Sequence, residues 1–218
     1  MVHTGAMIAL VPSAADAQRL AVDGGEDSSE LHLTMIYLGE AAMIPVEVRD
    51  NVIAAVRGWV GDLGTTVVGD AFAVNMFNPL DMTAGGKEPC VVLGVGGDQL
   101  ANFHEILCDT VRGVFTHAGI TMHPQRRPWA AHITLVYTDD ADLSYFTDRT
   151  GPVTFDRVRV AFGDEVTDIP LGTGEESEDT SYADDDELYD SDITAADNTS
   201  AGDEDEDEEY VDDEDEEY

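Results

Sequence analysis

The chain has 218 residues, of which 43% are hydrophobic, so it can bury the core of one ordinary domain and carry an appendage as well. Its formal net charge is -37. Residues 173–218 carry 24 of the 47 acidic residues and none of the 10 basic ones, which leaves 23 acids against 10 bases in the rest of the chain. Because neutralising a phosphate backbone requires clustered Lys and Arg, this balance excludes duplex DNA as a partner.

The cysteines, the histidines and the apolar segments exclude further classes. Cys90 and Cys108 lie in apolar surroundings without CxxC spacing, so we expect buried free thiols in a reducing cytosol. His104, His117 and His123 form no carboxylate–histidine grouping, so neither a metal nor another cofactor is expected. No segment is long enough to span a bilayer, and no basic leader precedes a long apolar stretch. The sequence therefore predicts no membrane partner and a cytoplasmic location, which is the host cytoplasm if the protein is viral.

Predicted strands and helices alternate along residues 1–172. Apolar runs predict strands at Ala6–Val11, Leu31–Leu38, Thr66–Met76, Cys90–Val95, His132–Tyr137 and Val153–Phe162. Capping residues and helical spacing predict helices at Ser13–Val22, Pro45–Leu63 and Asp98–Ala118. From residue 173 onward almost nothing aliphatic remains and the charges repel one another, which predicts a disordered acidic tail over 173–218 beside one domain over 1–172.

The order of elements suggests an internal duplication. Strand, helix, strand, helix and strand follow one another up to about Pro79 and recur, less completely, from Cys90 onward. The hexapeptides HLTMIY at residues 32–37 and HITLVY at residues 132–137 share His, Thr and Tyr, and the other three positions exchange one aliphatic residue for another. They begin 100 residues apart, at corresponding places in the two halves.

In a strand, alternate side chains point to the same face, so each hexapeptide presents one imidazole beside one hydroxyl. If the two halves pack about a pseudo-twofold axis, His32, Thr34, His132 and Thr134 can line a single cleft. A neutral imidazole can then take a proton from a nucleophile while a protonated one donates to a leaving oxygen, and the hydroxyls can hydrogen-bond a phosphate. Strict alternation sends the two shared tyrosines to the opposite face, where we expect them to pack in the core.

A single His-x-Thr in a strand is more often a core histidine beside a β-branched residue than a catalytic pair. Two copies that match at all six positions, in corresponding strands, reverse that balance. The paired motifs therefore favour a catalytic function.

The motifs HLTMIYLG and HITLVY resemble those of the two-histidine (2H) phosphoesterase superfamily, which includes RNA 2',3'-cyclic phosphodiesterases, historically called 2'-5' RNA ligases. The resemblance implies an α+β bilobal fold over residues 1–172, with two pseudo-symmetric lobes of mainly antiparallel sheet, helices outside and a central cleft. It also implies a metal-independent enzyme in which His32 and His132 are the acid–base pair and Thr34 and Thr134 hold the phosphate. It does not assign which histidine is the base. Its substrate range covers 2',3'-cyclic phosphate ends and small cyclic or 2'-5' linked oligonucleotides.

Three further residues precede the second motif. Arg126 and Arg127 form the one basic pair of an acidic chain and are candidates to clamp a phosphate, with a solvated loop as the alternative. Trp129 is a candidate to stack on a base, with core packing as the alternative.

Other functions of the same residues stay open. The cleft can bind a small nucleotide or short RNA without cleaving it, or join RNA ends as a 2'-5' ligase. The acidic tail is interpreted either as a solubilising extension or as a segment that competes with anionic substrate or docks a basic protein partner.

Overall fold

The computed structural model describes residues 4–78 and 88–172, so the predicted tail lies outside the described residues. The strands are β1 (Gly5–Pro12), β2 (Leu33–Glu40), β3 (Val67–Phe77), β4 (Cys90–Gly96), β5 (His132–Tyr137), β6 (Gly151–Phe162) and β7 (Glu165–Pro170). The α-helices are α1 (Ala14–Leu20), α2 (Val46–Leu63) and α3 (Asp98–His117), and 3-10 helices lie at Ala41–Met43 and Leu143–Arg149. All six predicted strands and all three predicted helices are confirmed, whereas β7 and the 3-10 helices were not foreseen.

Local signals explain where the helices begin and which faces they bury. The Ser13 hydroxyl accepts a hydrogen bond from the Asp16 backbone N–H at the start of α1. Helix α2 follows Pro45 and ends at Gly64, whose φ of 57° lies in the left-handed region that glycine adopts without strain. Its buried side chains recur every four residues and form one apolar stripe, at Val48, Val52, Val56 and Val60. This stripe and the apolar face of α3 cover the sheet.

The seven strands form one antiparallel sheet in the order β1-β2-β5-β4-β3-β6-β7, with a further pairing between β1 and β6. The third strand of each half pairs with the first strand of the other half, since β3 pairs with β4 and β6 pairs with β1. Strand β6 serves both lobes because its first residues pair with β3 and its later ones with β1 and β7. One lobe is therefore β2-β1-β6-β7 and the other β5-β4-β3-β6, as the predicted bilobal α+β fold requires.

The core lies between the sheet and the helices. All fully buried residues of the described ranges are apolar, and Leu10, Leu33, Ile133 and Val160 contribute from the inner face of the sheet. Each such side chain contributes about 1.5–3 kcal/mol by leaving water. In residues 4–78 and 88–172 no helix has the length and apolar character needed to cross a membrane.

Candidate active site

The two motifs meet at one point of the sheet. Strands β2 and β5 are joined by a single pair, Leu33 opposite Ile133, and both of these side chains are fully buried. Continued by one residue to either side, this register sets His32 across from Thr134 and His132 across from Thr34. These four half-buried side chains share the face opposite to the core. In a regular antiparallel pair, diagonal positions such as those of the two histidines lie about 7–8 Å apart, which leaves room for one phosphate.

A β-bulge follows the threonine in both motifs. The pairing of β1 with β2 passes from Thr34 to Ile36 and skips Met35. In the same way, the pairing of β4 with β5 skips Leu135. Such an extra residue shifts the alternation of side chains by one. The prediction that the tyrosines pack in the core is therefore wrong, because Tyr37 is 41% and Tyr137 54% exposed.

Both histidines are held by the same backbone contact. The Nδ1 atom of His32 lies 2.6 Å from the Glu30 carbonyl oxygen, and Nδ1 of His132 lies 2.7 Å from the Ala130 carbonyl oxygen. A carbonyl only accepts hydrogen bonds, so Nδ1 is the protonated nitrogen in each ring. Nε2 is thereby left in both rings for proton transfer at the cleft.

The surroundings of His32 favour its neutral form. Burial lowers the pKa of His32 below its ordinary value of 6.5. The hydrogen bond to the Glu30 carbonyl opposes this shift, the positive charge of Arg159 adds to it, and the charges of Glu26 and Glu30 oppose it. His32 is therefore neutral at pH 7 and suited to accept a proton.

Sulfur atoms are the partners of both motif threonines. The Thr34 hydroxyl lies 3.9 Å from the Met7 sulfur. The Thr134 hydroxyl hydrogen-bonds to the thiol of Cys90, whose pKa is raised by burial, so the thiol stays protonated. Sulfur is a weak hydrogen-bond partner, so either hydroxyl can exchange it for a phosphate oxygen at little cost. The expectation that both cysteines are buried free thiols is confirmed.

The neighbours of the two histidines differ. The ring of Phe77 lies against His132, with centroids 4.8 Å apart. On the His32 side, Arg159 donates two hydrogen bonds to Asp168, at 2.8 and 3.0 Å, and one to the Ser29 carbonyl at 3.2 Å. Arg159 thereby holds the pKa of Asp168 below its usual value. This ion pair could not be foreseen from the sequence because Asp168 lies on β7, which was not among the predicted strands.

The connection from α3 to β5 covers the free edge of β2. Gln125 accepts a hydrogen bond from the Tyr37 N–H at 3.2 Å and donates one to the Tyr37 carbonyl at 2.8 Å. The Trp129 indole N–H donates to the Thr34 carbonyl at 3.4 Å, and its ring stacks on His104 with centroids 3.9 Å apart. His104 also hydrogen-bonds to the Met35 carbonyl. These side chains satisfy backbone groups at the bulge of the first motif.

The structure thus places the three secondary candidates on this connection. Trp129 is partly buried against the core, with one ring face taken by His104. Arg126 and Arg127 are exposed, and neither is part of an ion pair within the described ranges. Their guanidinium groups are therefore available to an anion.

The connection from α1 to β2 likewise contacts the second motif, on β5. The Glu26 N–H donates to the Leu135 carbonyl at 2.9 Å, at the bulge of the second motif. Gly25 permits this approach, because a Cβ atom there would lie 2.4 Å from the same carbonyl oxygen. Each half therefore supports the motif of the other half.

No three His, Cys, Asp or Glu side chains within residues 4–78 and 88–172 are grouped as metal ligands. Independence from metal stays a prediction, which chelation can test.

Neither a protein-family model nor a curated protein matches the sequence. Among solved structures, TT0787 of Thermus thermophilus is similar at 16% identity and a TM-score of 0.50, over 77% of this chain and 98% of that one. Usb1 of Kluyveromyces marxianus matches at 10% identity over 77% and 97% of the two chains, with a TM-score of 0.49. LigT of E. coli in its apo form matches at 15% identity over 78% and 96%, with a TM-score of 0.42. At these identities the similarity concerns the fold. In its paired motifs, the chain resembles the two-histidine phosphoesterase superfamily.

Proposed function

We propose that the chain is a phosphodiesterase that hydrolyses 2',3'-cyclic phosphate ends or small cyclic or 2'-5' linked oligonucleotides without a metal. The observation that supports this most strongly is the meeting of two His–Thr pairs around Leu33 and Ile133. Each pair presents an Nε2 atom, whose ring is fixed through Nδ1, beside a weakly bound hydroxyl. Cleavage of a phosphodiester without a metal needs two groups that transfer protons and hydrogen-bond donors that bind the phosphate oxygens.

Of the two histidines, His32 is the better general base. Its lowered pKa keeps Nε2 unprotonated at neutral pH, whereas a general acid must carry its proton before the reaction begins. In hydrolysis, a water molecule attacks phosphorus and gives its proton to Nε2 of His32. The bond from phosphorus to the ribose oxygen breaks, and that oxygen takes a proton from Nε2 of His132. Proton exchange with solvent then restores both rings.

Neutral and cationic hydrogen-bond donors stabilise the negative charge on the phosphate. Thr34 and Thr134 donate hydrogen bonds to the non-bridging oxygens as negative charge builds on them. Arg126 and Arg127, exposed and without an ion pair in the described ranges, are the candidates to hold a second phosphate of an oligonucleotide.

Replacement of each motif histidine tests the proposal. His32→Asn and His132→Asn should each lower kcat by about 100- to 10,000-fold on nucleoside 2',3'-cyclic phosphates, 2'-5' oligoadenylates or cyclic dinucleotides, while circular dichroism stays unchanged. His117→Asn, at an exposed position of α3, is the matched control and should leave kcat unchanged. Wild-type activity should also survive EDTA. Activity that persists in the motif variants, or that EDTA removes, would refute the mechanism.

A further inference from the structure

The open face of the sheet beside His132 is aromatic. His132 pairs with Gly94 on β4, which has no side chain to cover the face. The ring of Phe72, which is 65% exposed, lies across this strand, with its Cζ atom 3.4 Å from the position that a Gly94 Cβ would take. A Cβ at Gly96 would lie 3.3 Å from the same ring. Two glycines therefore provide the flat surface on which Phe72 lies.

Phe72 lies on the outer side of β3, in line with the exposed Val68 and Asp70, and at a β-bulge. The pairing of β3 with β4 passes from Ala71 to Ala73 and skips Phe72. A bulge redirects one side chain while the strand continues, and bulges are frequent beside active sites. The apolar ring of Phe72 is therefore held at the surface of the sheet.

Phe72, Gly94 and Gly96 line a pocket of about 360 Å³. Phe72, Phe77 and Trp129 contribute aromatic walls, and Asn75 contributes a carboxamide. Among the residues that the structure describes, the lining contains no charged side chain. Ligand pockets span roughly 300–1,000 Å³, so this one suits a single flat ring with its sugar.

The surroundings of His32 are charged instead. Arg159, whose charge acts on His32, donates hydrogen bonds to Asp168 and to the Ser29 carbonyl. The duplication thus repeats the histidine, the threonine and the bulge after it, whereas the open aromatic face is found, among the described residues, beside His132. The apolar part of a ligand would therefore bind on the His132 side.

We propose that Phe72, Asn75 and Phe77 form a nucleobase subsite that places the nucleoside of the leaving group beside His132. The proposal rests on the function proposed above. Base stacking on aromatic side chains tolerates every base, and a carboxamide both donates and accepts hydrogen bonds at a base edge. With the base in this pocket, its ribose oxygen faces Nε2 of His132, and water approaches from the His32 side.

Equilibrium binding separates this subsite from catalysis. By calorimetry, adenosine 3'-monophosphate and inorganic phosphate are titrated into the full chain and into its Phe72→Ala variant. Phe72→Ala should weaken nucleotide binding about 10-fold, within the range measured for stacked bases, and leave phosphate binding unchanged. Met43→Ala, a control at a side chain 79% exposed outside the pocket, should change neither. Gly96→Ala, which adds a methyl group 3.3 Å from the Phe72 ring, should weaken nucleotide binding in the same direction but less, and serves if Phe72→Ala does not fold.

Kinetics give a second test. Phe72→Ala should raise KM for a nucleoside 2',3'-cyclic phosphate and leave kcat nearly unchanged, because the ring binds ground state and transition state alike. Equal losses of phosphate and nucleotide binding, or unchanged nucleotide binding in both pocket variants, would overturn the subsite. If the nucleotide binds as expected but no substrate is cleaved, the proposed function fails and the binding site stands.

Discussion

Leu33 and Ile133, the middle residues of the two His-x-Thr motifs, are paired with each other across the one backbone bridge that joins β2 to β5. A pseudo-twofold axis passes between them, so each half of the chain contributes one histidine and one threonine to the same place. Two features beyond the side chains obey this symmetry: the Nδ1 contact to the carbonyl two residues earlier and the bulge after the threonine. The surroundings do not, and in the proposed mechanism this difference gives the part of the base to His32 and that of the acid to His132.

Shortening Leu33 should loosen the junction, which is the pair of Leu33 and Ile133 that joins β2 to β5. Leu33→Ala should lower the free energy of unfolding by about 2–5 kcal/mol, as a cavity in a packed core does. It should also lower kcat in protein that is still folded, because the two motifs are held together at this pair. Leu107→Ala, at an equally buried position of α3, should cost similar stability and leave kcat unchanged. Denaturant titration and steady-state kinetics measure both effects, and equal kcat values in the two variants would contradict a special role for the junction.

The two hydroxyls should matter through their hydrogen bonds and not through their volume. Thr34→Val and Thr134→Val keep the shape of the side chain and remove the donor, so each should lower kcat by roughly 10- to 1,000-fold. Thr34→Ser and Thr134→Ser should retain most of the activity. Serine variants as slow as the valine variants would show that packing, and not donation, is what the threonines provide.

The pH profile should report the lowered pKa of His32. The base is inactive when protonated, so kcat/KM should fall on the acidic side only below about pH 6.5, the ordinary value for histidine. Glu26 raises the pKa of His32, so Glu26→Gln should move this acidic limb to still lower pH. Asp62→Asn removes the same charge at an exposed position of α2 and is the control. An acidic limb that moves upward in Glu26→Gln would argue against His32 as the base.

Much of the fold could be predicted because its signals are local. The Val48 to Val60 stripe, the Ser13 cap and the repeated hexapeptides are visible in the sequence, and each is found where it was expected. The exposure of Tyr37 and Tyr137 was not foreseen, because a bulge depends on how a strand pairs with its neighbour and leaves no mark in the alternation itself.

The parts of the site that the sequence did not reveal come from distant segments. Arg159 stands in the alternating run RVRV, where an arginine among buried valines was a signal, but its partner Asp168 lies on the unpredicted β7. For His104 the sequence predicted only that it is not a metal ligand. Its contacts with Trp129 and the Met35 carbonyl depend on how α3 crosses the sheet, which no local pattern encodes.

Gly25 should tolerate no side chain. A Cβ atom there would lie 2.4 Å from the Leu135 carbonyl oxygen, a backbone atom that cannot move without disturbing the second motif. Gly25→Ala should therefore lower both the melting temperature and kcat. Gly58→Ala, in the middle of α2 with no atom within 4 Å of the new Cβ, should instead stabilise the protein by about 0.5–1 kcal/mol. A Gly25→Ala variant as stable and active as wild type would show that the contact with Leu135 is dispensable.

Removal of residues 173–218 should leave catalysis unchanged and make the protein less soluble, because the net charge falls from -37 to -13 when 24 acidic residues are lost. If the segment instead competed with substrate for the cleft, the truncated protein would have the lower KM for an anionic substrate. The difference would be largest at about 10 mM salt, where charges act over about 30 Å. Steady-state kinetics at about 10 mM and about 150 mM salt, on full-length protein and on residues 1–172, decide between the two. A lower KM that appears only in the truncated protein at low salt would show that the tail competes with substrate. It would contradict the expectation that the tail only keeps the protein soluble.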